Sequence, residues 1–412
     1  MSSLPTRFGP YMLVERIARG GMAEIFEARQ TLTGGVQRWV AVKRILSHLQ
    51  DSDFLAMFRQ EAELAAQLSH PNLASILDTG RIDGRSYLAM ELVRGIHCGQ
   101  LIKLSATKPI PAVLIARIGA DVCSALAYAH EARDANGDRL NLVHRDVSPP
   151  NVLVRTDGVV KLVDFGIAKR ATTAETHPGL VKGKYAYMSP EQTTGVELDG
   201  RSDVFSLGIV MWELAAGRYA IRRPDPADGM RAIRDGEIPP IESVRPGLAP
   251  QLAAAIDAAL DRDPQVRPTA AELRRALEVY LMASGELVTA ETLATWIDNN
   301  LPGASRERPA TARASDSDFI AGAPTQLSRR RKRVSSMPPM AGEMLAQEPA
   351  SPPAPGLSLW RTATFASFTL AVAALLWALS SRGSREVIIR PAAEPARCQP
   401  ADQNPPSPVF QE

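Results

Sequence analysis

The 412-residue chain predicts an α+β fold: a small β-rich lobe, a larger helical lobe, a linker without periodicity and one hydrophobic helix. Three observations predict it. Strand-like alternation fills most of the first 93 residues, broken by a single amphipathic helical stretch. After Gly95 a 3–4 spacing takes over, as in "PAVLIARIGADVCSALAYAHEAR". Further on, most markedly from 303, the text turns to Pro, Ala, Ser and Arg before a long uncharged run. The boundaries read as 9–284 for the folded part (small lobe 9–92, large lobe 96–284), 285–356 for a disordered linker, 362–381 for the hydrophobic helix and 382–412 for a short Pro-rich tail. No internal repeat is visible.

Composition narrows the function classes. Lys plus Arg at 47 against Asp plus Glu at 45 gives a net charge of +2, so no global field points to a nucleic-acid partner. Apolar residues at 45% supply ample core, while 32 prolines fit a chain that is partly unfolded. Cys98, Cys123 and Cys398 are scattered and odd in number, which reads as reduced thiols in a cytosolic setting. The opening "MSSLPTRFGP" lacks a basic-then-apolar signal, so the first lobe is expected to stay where it is made.

The opening text, "YMLVERIARGGMAEIFEARQ" and "RWVAVKRIL", reads as strands. In "WVAVKRI" alternation sets Val40 and Val42 on one face and Ala41 and Lys43 on the other. A lysine inside a strand is ordinarily a solvated edge charge; the next element argues otherwise. On the helical stretch 51–70, Phe54, Met57, Phe58, Leu64, Ala65 and Leu68 form one stripe. At roughly 100° per residue, Glu61 falls in its middle while Glu63 points away. A carboxylate on an apolar face is costly without a partner charge, and Lys43 is the nearest upstream cation on an inner face. Strands then surround an Asp83-Gly84 turn of the two-residue hairpin type.

The stretch "VHRDVSPPN", 143–151, is followed by the hairpin "NVLVRTDGVVKLVDFG". Taken as a two-residue turn, Asp157-Gly158 brings Asn151 opposite Asp164. Two oxygen ligands beside Asp146 make a seat for a hard divalent cation such as Mg²⁺.

With these residues the chain resembles the eukaryotic-like protein serine/threonine kinases of bacteria, over about residues 9–283. The motifs arrive in order: "VAVK" at 40–43, Glu61 ahead of "HPN", "HRDVSPPN" at 144–151, "DFG" at 164–166, "SPE" at 189–191, "SDVFSLG" at 202–208 and "RDPQVRP" at 262–268. The resemblance implies a bilobal kinase fold, ATP with Mg²⁺ (or Mn²⁺ in its place), and protein substrates. It assigns Lys43 to the phosphates, Glu61 to positioning Lys43, Asp146 to the substrate hydroxyl, and Asn151 and Asp164 to the metal. The nucleotide site extends to Ile17, Ala18, Gly20, Gly21, Ile25, Ala41, Met90, Glu91, Val93 and Leu153. Glu191 is expected to pair with Arg267, and Asp203 to hold the catalytic-loop backbone.

Two departures stand out. In "ARGGMAEI", Ala18 and Ala23 take the places of two glycines of the phosphate-covering loop, leaving Gly20 and Gly21. Ser148 stands where the family carries a lysine, and Lys184 of "GKYAYMSPEQ" where it carries a threonine. The two changes read as an exchange, with Lys184 supplying the cation and Ser148 the hydroxyl; a flexible ammonium tolerates arrival from another backbone. Against it stands Lys184 as a solvated loop residue. These departures keep a pseudokinase, a fold that binds nucleotide or partners without transfer, as the alternative function.

Autophosphorylation is expected at Thr172, Thr173 or Thr176, where an added phosphate would meet Arg145. In "RRRKRVSS", 329–336, three readings stay open: a spacer charge run, an attraction to anionic lipid, or a basophilic site at Ser335 or Ser336. The run "TATFASFTLAVAALLWALSS" holds 20 residues without a charge, enough to cross a hydrocarbon core of about 30 Å; a buried or interfacial helix is its alternative. Arg382, Arg385 and Arg390 sit closer to it than the upstream cluster, against the positive-inside tendency. The need for ATP outvotes them. A single-pass inner-membrane protein with a cytoplasmic kinase domain is the expectation, with lipid contact through the one helix and dimerisation for trans-autophosphorylation.

Overall fold

The computed structural model describes residues 4–47, 49, 52–134, 136–165 and 184–302. The chain begins with four antiparallel strands, β1 (Thr6–Phe8), β2 (Tyr11–Arg19), β3 (Ala23–Thr31) and β4 (Gln37–Ile45), followed by helix α1 (Ser52–Ala65) and strands β5 (Ile76–Ile82) and β6 (Arg85–Glu91). The sheet order is β1-β2-β3-β4-β6-β5. Its two faces bury different sets, as the alternation in β4 requires. Val40 and Val42 join Phe8, Tyr11, Leu13 and Phe26 on one side; Ala41 joins Phe54, Phe58 and Ala62 of α1 on the other. Helix α1 stops at Ala65, short of the expected 51–70, and one-turn bonds such as Leu68 N–H to Ala65 O close the chain instead. At the β5–β6 turn Asp83 and Gly84 both take positive φ, 48° and 75°, and Ile82 pairs with Arg85. The two-residue hairpin stands as read.

The second lobe opens with β7 (Gly95–His97), α2 (Cys98–Ser105) and α3 (Ala112–His130), then the hairpin β8 (Val152–Arg155) and β9 (Val160–Leu162), which pairs with β7 through β8. Helices α4 (Pro190–Thr194), α5 (Arg201–Ala216), α6 (Pro226–Asp235), α7 (Ile241–Val244), α8 (Pro250–Ala259), α9 (Ala270–Ala283) and α10 (Ala290–Asn300) complete it. One apolar cluster, centred on α3, α5 and α9, fills this lobe. Helix α3 is long and apolar enough to span a bilayer, but it is the buried centre of that cluster.

Helix α10 corrects the domain boundary. It lies inside the stretch 285–356 that composition assigns to the linker, yet Leu293 and Ile297, one turn apart, are buried in the large-lobe core. Thr289 caps it by accepting from the Thr292 amide at 3.2 Å. The hydrophobic run 362–381, the cluster 329–336, Thr172, Thr173 and Thr176 all lie outside the described residues. Cys98 and Cys123 are free and buried.

Candidate active site

The loop preceding β8 is fixed from below. Asp203, in the first turn of α5, is buried and accepts the backbone N–H of His144 and of Arg145, both at 2.7 Å, and His130 Nε2 at 2.9 Å. Burial would raise its carboxyl, but the His130 hydrogen bond and charge outweigh this and hold it below its ordinary value. That grip keeps Arg145 at φ 63°, a costly conformation for a non-glycine residue. His144 is fully buried, its ring 4.6 Å from that of Phe165 and tilted 42° to it. Its Nδ1 accepts the Asp146 amide at 3.3 Å and its Nε2 donates to the Val163 carbonyl at 3.2 Å, one neutral tautomer serving both. Burial lowers its pKa against three neighbouring carboxylates.

Asp146 is buried beside Asn151. The Asn151 amide donates to the Asp146 carbonyl at 2.7 Å and to its Oδ2 at 3.0 Å. Ser148, 2% exposed, turns its hydroxyl back onto the Asp146 carbonyl at 3.3 Å. Asn151 and Asp164 do not stand opposite one another as the two-residue turn implied. Val152 pairs with Leu162 and Val163 N–H bonds to the Asn151 carbonyl at 2.9 Å, so the register is one residue shorter. The loop is Thr156-Asp157-Gly158, closed by Gly158 N–H to Arg155 O at 2.8 Å with Gly158 at φ 83°, a three-residue turn with a left-handed third position. Asp164 therefore leaves the ladder. At φ 59° its carboxylate hydrogen-bonds the Lys43 ammonium.

The sequence pattern offers Glu61 as the Lys43 partner; Asp164 is a partner that spacing does not suggest. Glu61 is half-buried on α1 with one carboxylate oxygen shut off from solvent, whereas Glu63 is exposed and pairs with Arg59 at 2.7 Å. Opposite Lys43 on β3 stands Ile25; Ala41 stands opposite Met90, and Val40 opposite Glu91. Val93, Leu153 and Val163 form one small buried cluster, and Ile17 is 5% exposed. Ala18 pairs with Ile25 at the end of β2, and Gly20 N–H closes the loop onto Ala23 O at 2.9 Å, leaving Gly20 and Gly21 in the tip. The backbone of Lys184 begins a 3-10 turn, Lys184–Tyr187; its side chain is outside the described residues.

One residue escapes the sequence reading. Lys161 on β9 is buried, with Nζ donating to Leu73 O at 3.1 Å and to Glu91 Oε2 at 2.8 Å. It ties the segment before β5, the end of β6 and the hairpin together. "VVKLV" holds the same signal as Lys43, a charge alternating with buried apolar residues.

The donor set suits Mg²⁺. With the Asn151 amide nitrogen committed to Asp146, its amide oxygen is the end left for a cation, and the Asp164 carboxylate is a hard oxygen donor. Among the described residues no three His, Cys, Asp or Glu side chains gather into a metal cage. A cation that keeps its waters and shares phosphate oxygens needs none.

Residues 11–277 match the pattern of the protein kinase domain. The chain belongs to the protein kinase family. Its kinase domain is 41% identical over 281 residues to the tyrosine-protein kinase MasK of Myxococcus xanthus, covering 66% of this chain and 43% of that protein. It is 34% identical over 286 residues to the serine/threonine-protein kinase PknB of Mycobacterium leprae, covering 67% and 44%. The chain thus spans less than half the length of these curated relatives. The crystal structure of the Mycobacterium tuberculosis PknI kinase domain superposes with a TM-score of 0.52 at 27% identity, covering 68% of this chain and 99% of that domain. The bilobal kinase fold follows from these matches and from the two lobes described above.

Proposed function

We propose that this chain is a protein serine/threonine kinase that moves the γ-phosphoryl group of ATP to hydroxyls of protein substrates. The observation that carries the reading is the meeting of Lys43 with Asp164 across the two lobes, beside the hydrogen-bonded pair Asp146–Asn151. In this reading Asp146 orients the hydroxyl and accepts its proton as the P–O bond forms and the bond to ADP breaks. Asn151 and Asp164 are the residues that would hold Mg²⁺, which supplies charge neutralisation on the phosphates when bound. Lys43 neutralises phosphate oxygens, Glu61 positions Lys43, and the backbone of 90–93 receives the base. Lys184 replaces the family lysine missing at 148. Val93 and Leu153, packed together, floor the base site.

The name of the MasK relative favours a second specificity, tyrosine. Phosphoamino-acid analysis of labelled product separates the two: phosphoserine or phosphothreonine supports the present reading, and phosphotyrosine alone replaces it. We further propose autophosphorylation in 172–176 and tethering of the kinase to the inner membrane through 362–381. Mass spectrometry of active protein and sedimentation of the full chain with membranes test these two statements.

A further inference from the structure

Helix α10 lies beyond the residues 11–277 that match the family pattern, yet it is built into the large lobe. Leu293 and Ile297 are 1% and 3% exposed, and Arg117 on α3 donates to the Val288 carbonyl just before the helix at 3.0 Å. Its first turn meets the hairpin that the proposed metal residues flank. A Cβ at Gly158 would overlap the Ala290 carbonyl and stand 3.0 Å from the Ala294 amide nitrogen. With φ at 83°, Gly158 answers two demands at once: the left-handed turn and bare backbone against the helix.

The other side of the same strand end is gripped in the same manner. A Cβ at Gly95 would overlap the Val154 carbonyl and lie 2.8 Å from the Arg155 Cα. Thr156 N–H bonds to the Arg94 carbonyl at 3.0 Å. Residues 154–158 are therefore held between the exit of the 90–93 segment and the start of α10. Asn151 immediately precedes this hairpin, and Asp164 follows it by two residues.

We propose that α10 is a positioning element for the nucleotide site. Its first turn, seated on Gly158, presses the β8–β9 hairpin against the hinge exit and so sets the spacing of Asn151 and Asp164 from residues 90–93. This rests on the kinase reading above. No α10 residue is among those proposed to meet nucleotide; they act through the hairpin, and a rigid buttress of this kind affects binding of nucleotide before it affects the chemical step.

The test uses the full chain with Gly158→Ala, which pries the contact open, and Leu293→Ala/Ile297→Ala, which loosens the helix. Leu277→Ala, a core truncation on α9, controls for general destabilisation. Hydrogen exchange is measured on the nucleotide-free proteins, and affinity with MgADP. The expected result is exchange in 152–162 faster by about tenfold in the α10 and Gly158 variants but not in Leu277→Ala. MgADP binding and KM for ATP weaken about three- to tenfold in the same variants, with kcat at saturating ATP changed less than about twofold. Equal exchange in 152–162 for all three variants, or unchanged MgADP affinity in the first two, overturns the proposal. If the wild type itself binds no MgADP the kinase reading fails, while the exchange comparison still decides whether α10 holds the hairpin.

Discussion

The Lys43 ammonium, on the fourth strand of the small lobe, is hydrogen-bonded to the carboxylate of Asp164, which lies just past the large-lobe hairpin. Phe165, the next residue, packs into the core clusters of both lobes. Lys43→Met removes the cation. The kinase reading expects kcat for protein phosphorylation to fall about 10²- to 10³-fold, the scale of losing one preorganised charge contact to a phosphoryl group. Steady-state phosphorylation at saturating MgATP checks it.

The Ser148–Lys184 exchange is tested by reciprocal replacement. Lys184→Thr lowers the rate about 10- to 100-fold if its ammonium serves the γ-phosphate. Adding Ser148→Lys to that variant restores part of the loss, because the side chain buried on the Asp146 carbonyl becomes a cation in the family's usual place. A wild-type rate in Lys184→Thr removes Lys184 from the site.

Arg267 and Glu191 form a two-pronged buried pair at 2.7 and 3.1 Å, with Arg267 also donating to the Arg201 and Asp261 carbonyls. Arg267→Met leaves Glu191 in the interior without its cation. The expected loss is about 3–5 kcal/mol of stability, read from urea denaturation. Glu191→Gln in the same background returns part of it, since no uncompensated charge remains.

Glu213, fully buried on α5, accepts from the Tyr187 hydroxyl at 2.9 Å and the Ala220 amide at 3.0 Å. Burial pushes its carboxyl up from 4.5 to about 8, the two hydrogen bonds opposing only part of the rise. The folded chain thus keeps a proton that the unfolded chain has released. Stability from this group is whole below the ordinary value and is lost as pH rises towards about 8. Glu213→Gln, which cannot titrate, flattens that slope. Urea midpoints of both proteins across this window check the sign: the wild type loses more stability than the variant on going from the acidic to the alkaline end.

Much of this arrangement is legible in the residues. Period-two text in 40–43 places Ala41 and Lys43 on the α1 side of the sheet, and Asp83-Gly84 gives its hairpin type. The Glu191–Arg267 pair and the Asp203 grip on the loop backbone are where the motifs imply. The hairpin register is not legible, because "TDG" suits both a two-residue turn and a three-residue turn with glycine in the left-handed position. Backbone from a helix that begins 132 residues further on, at Ala290, and meets Gly158 is not in that local text. For the same reason α10 reads as linker: Leu293, Trp296, Ile297 and Leu301 do carry a 3–4 spacing, but the core they pack against comes from segments far upstream. Lys161 stays hidden because its partners Leu73 and Glu91 come from distant segments, and no spacing rule joins them.

Phosphate transfer by the full chain and by its Asp146→Asn variant tests the central claim most directly. Radiolabelled ATP with Mg²⁺ and a generic protein substrate is the assay. Label appearing on serine or threonine with the wild type, and falling by about 10²- to 10⁴-fold in the variant, is the predicted result. Absence of transfer by the wild type, or equal transfer by the two proteins, contradicts it.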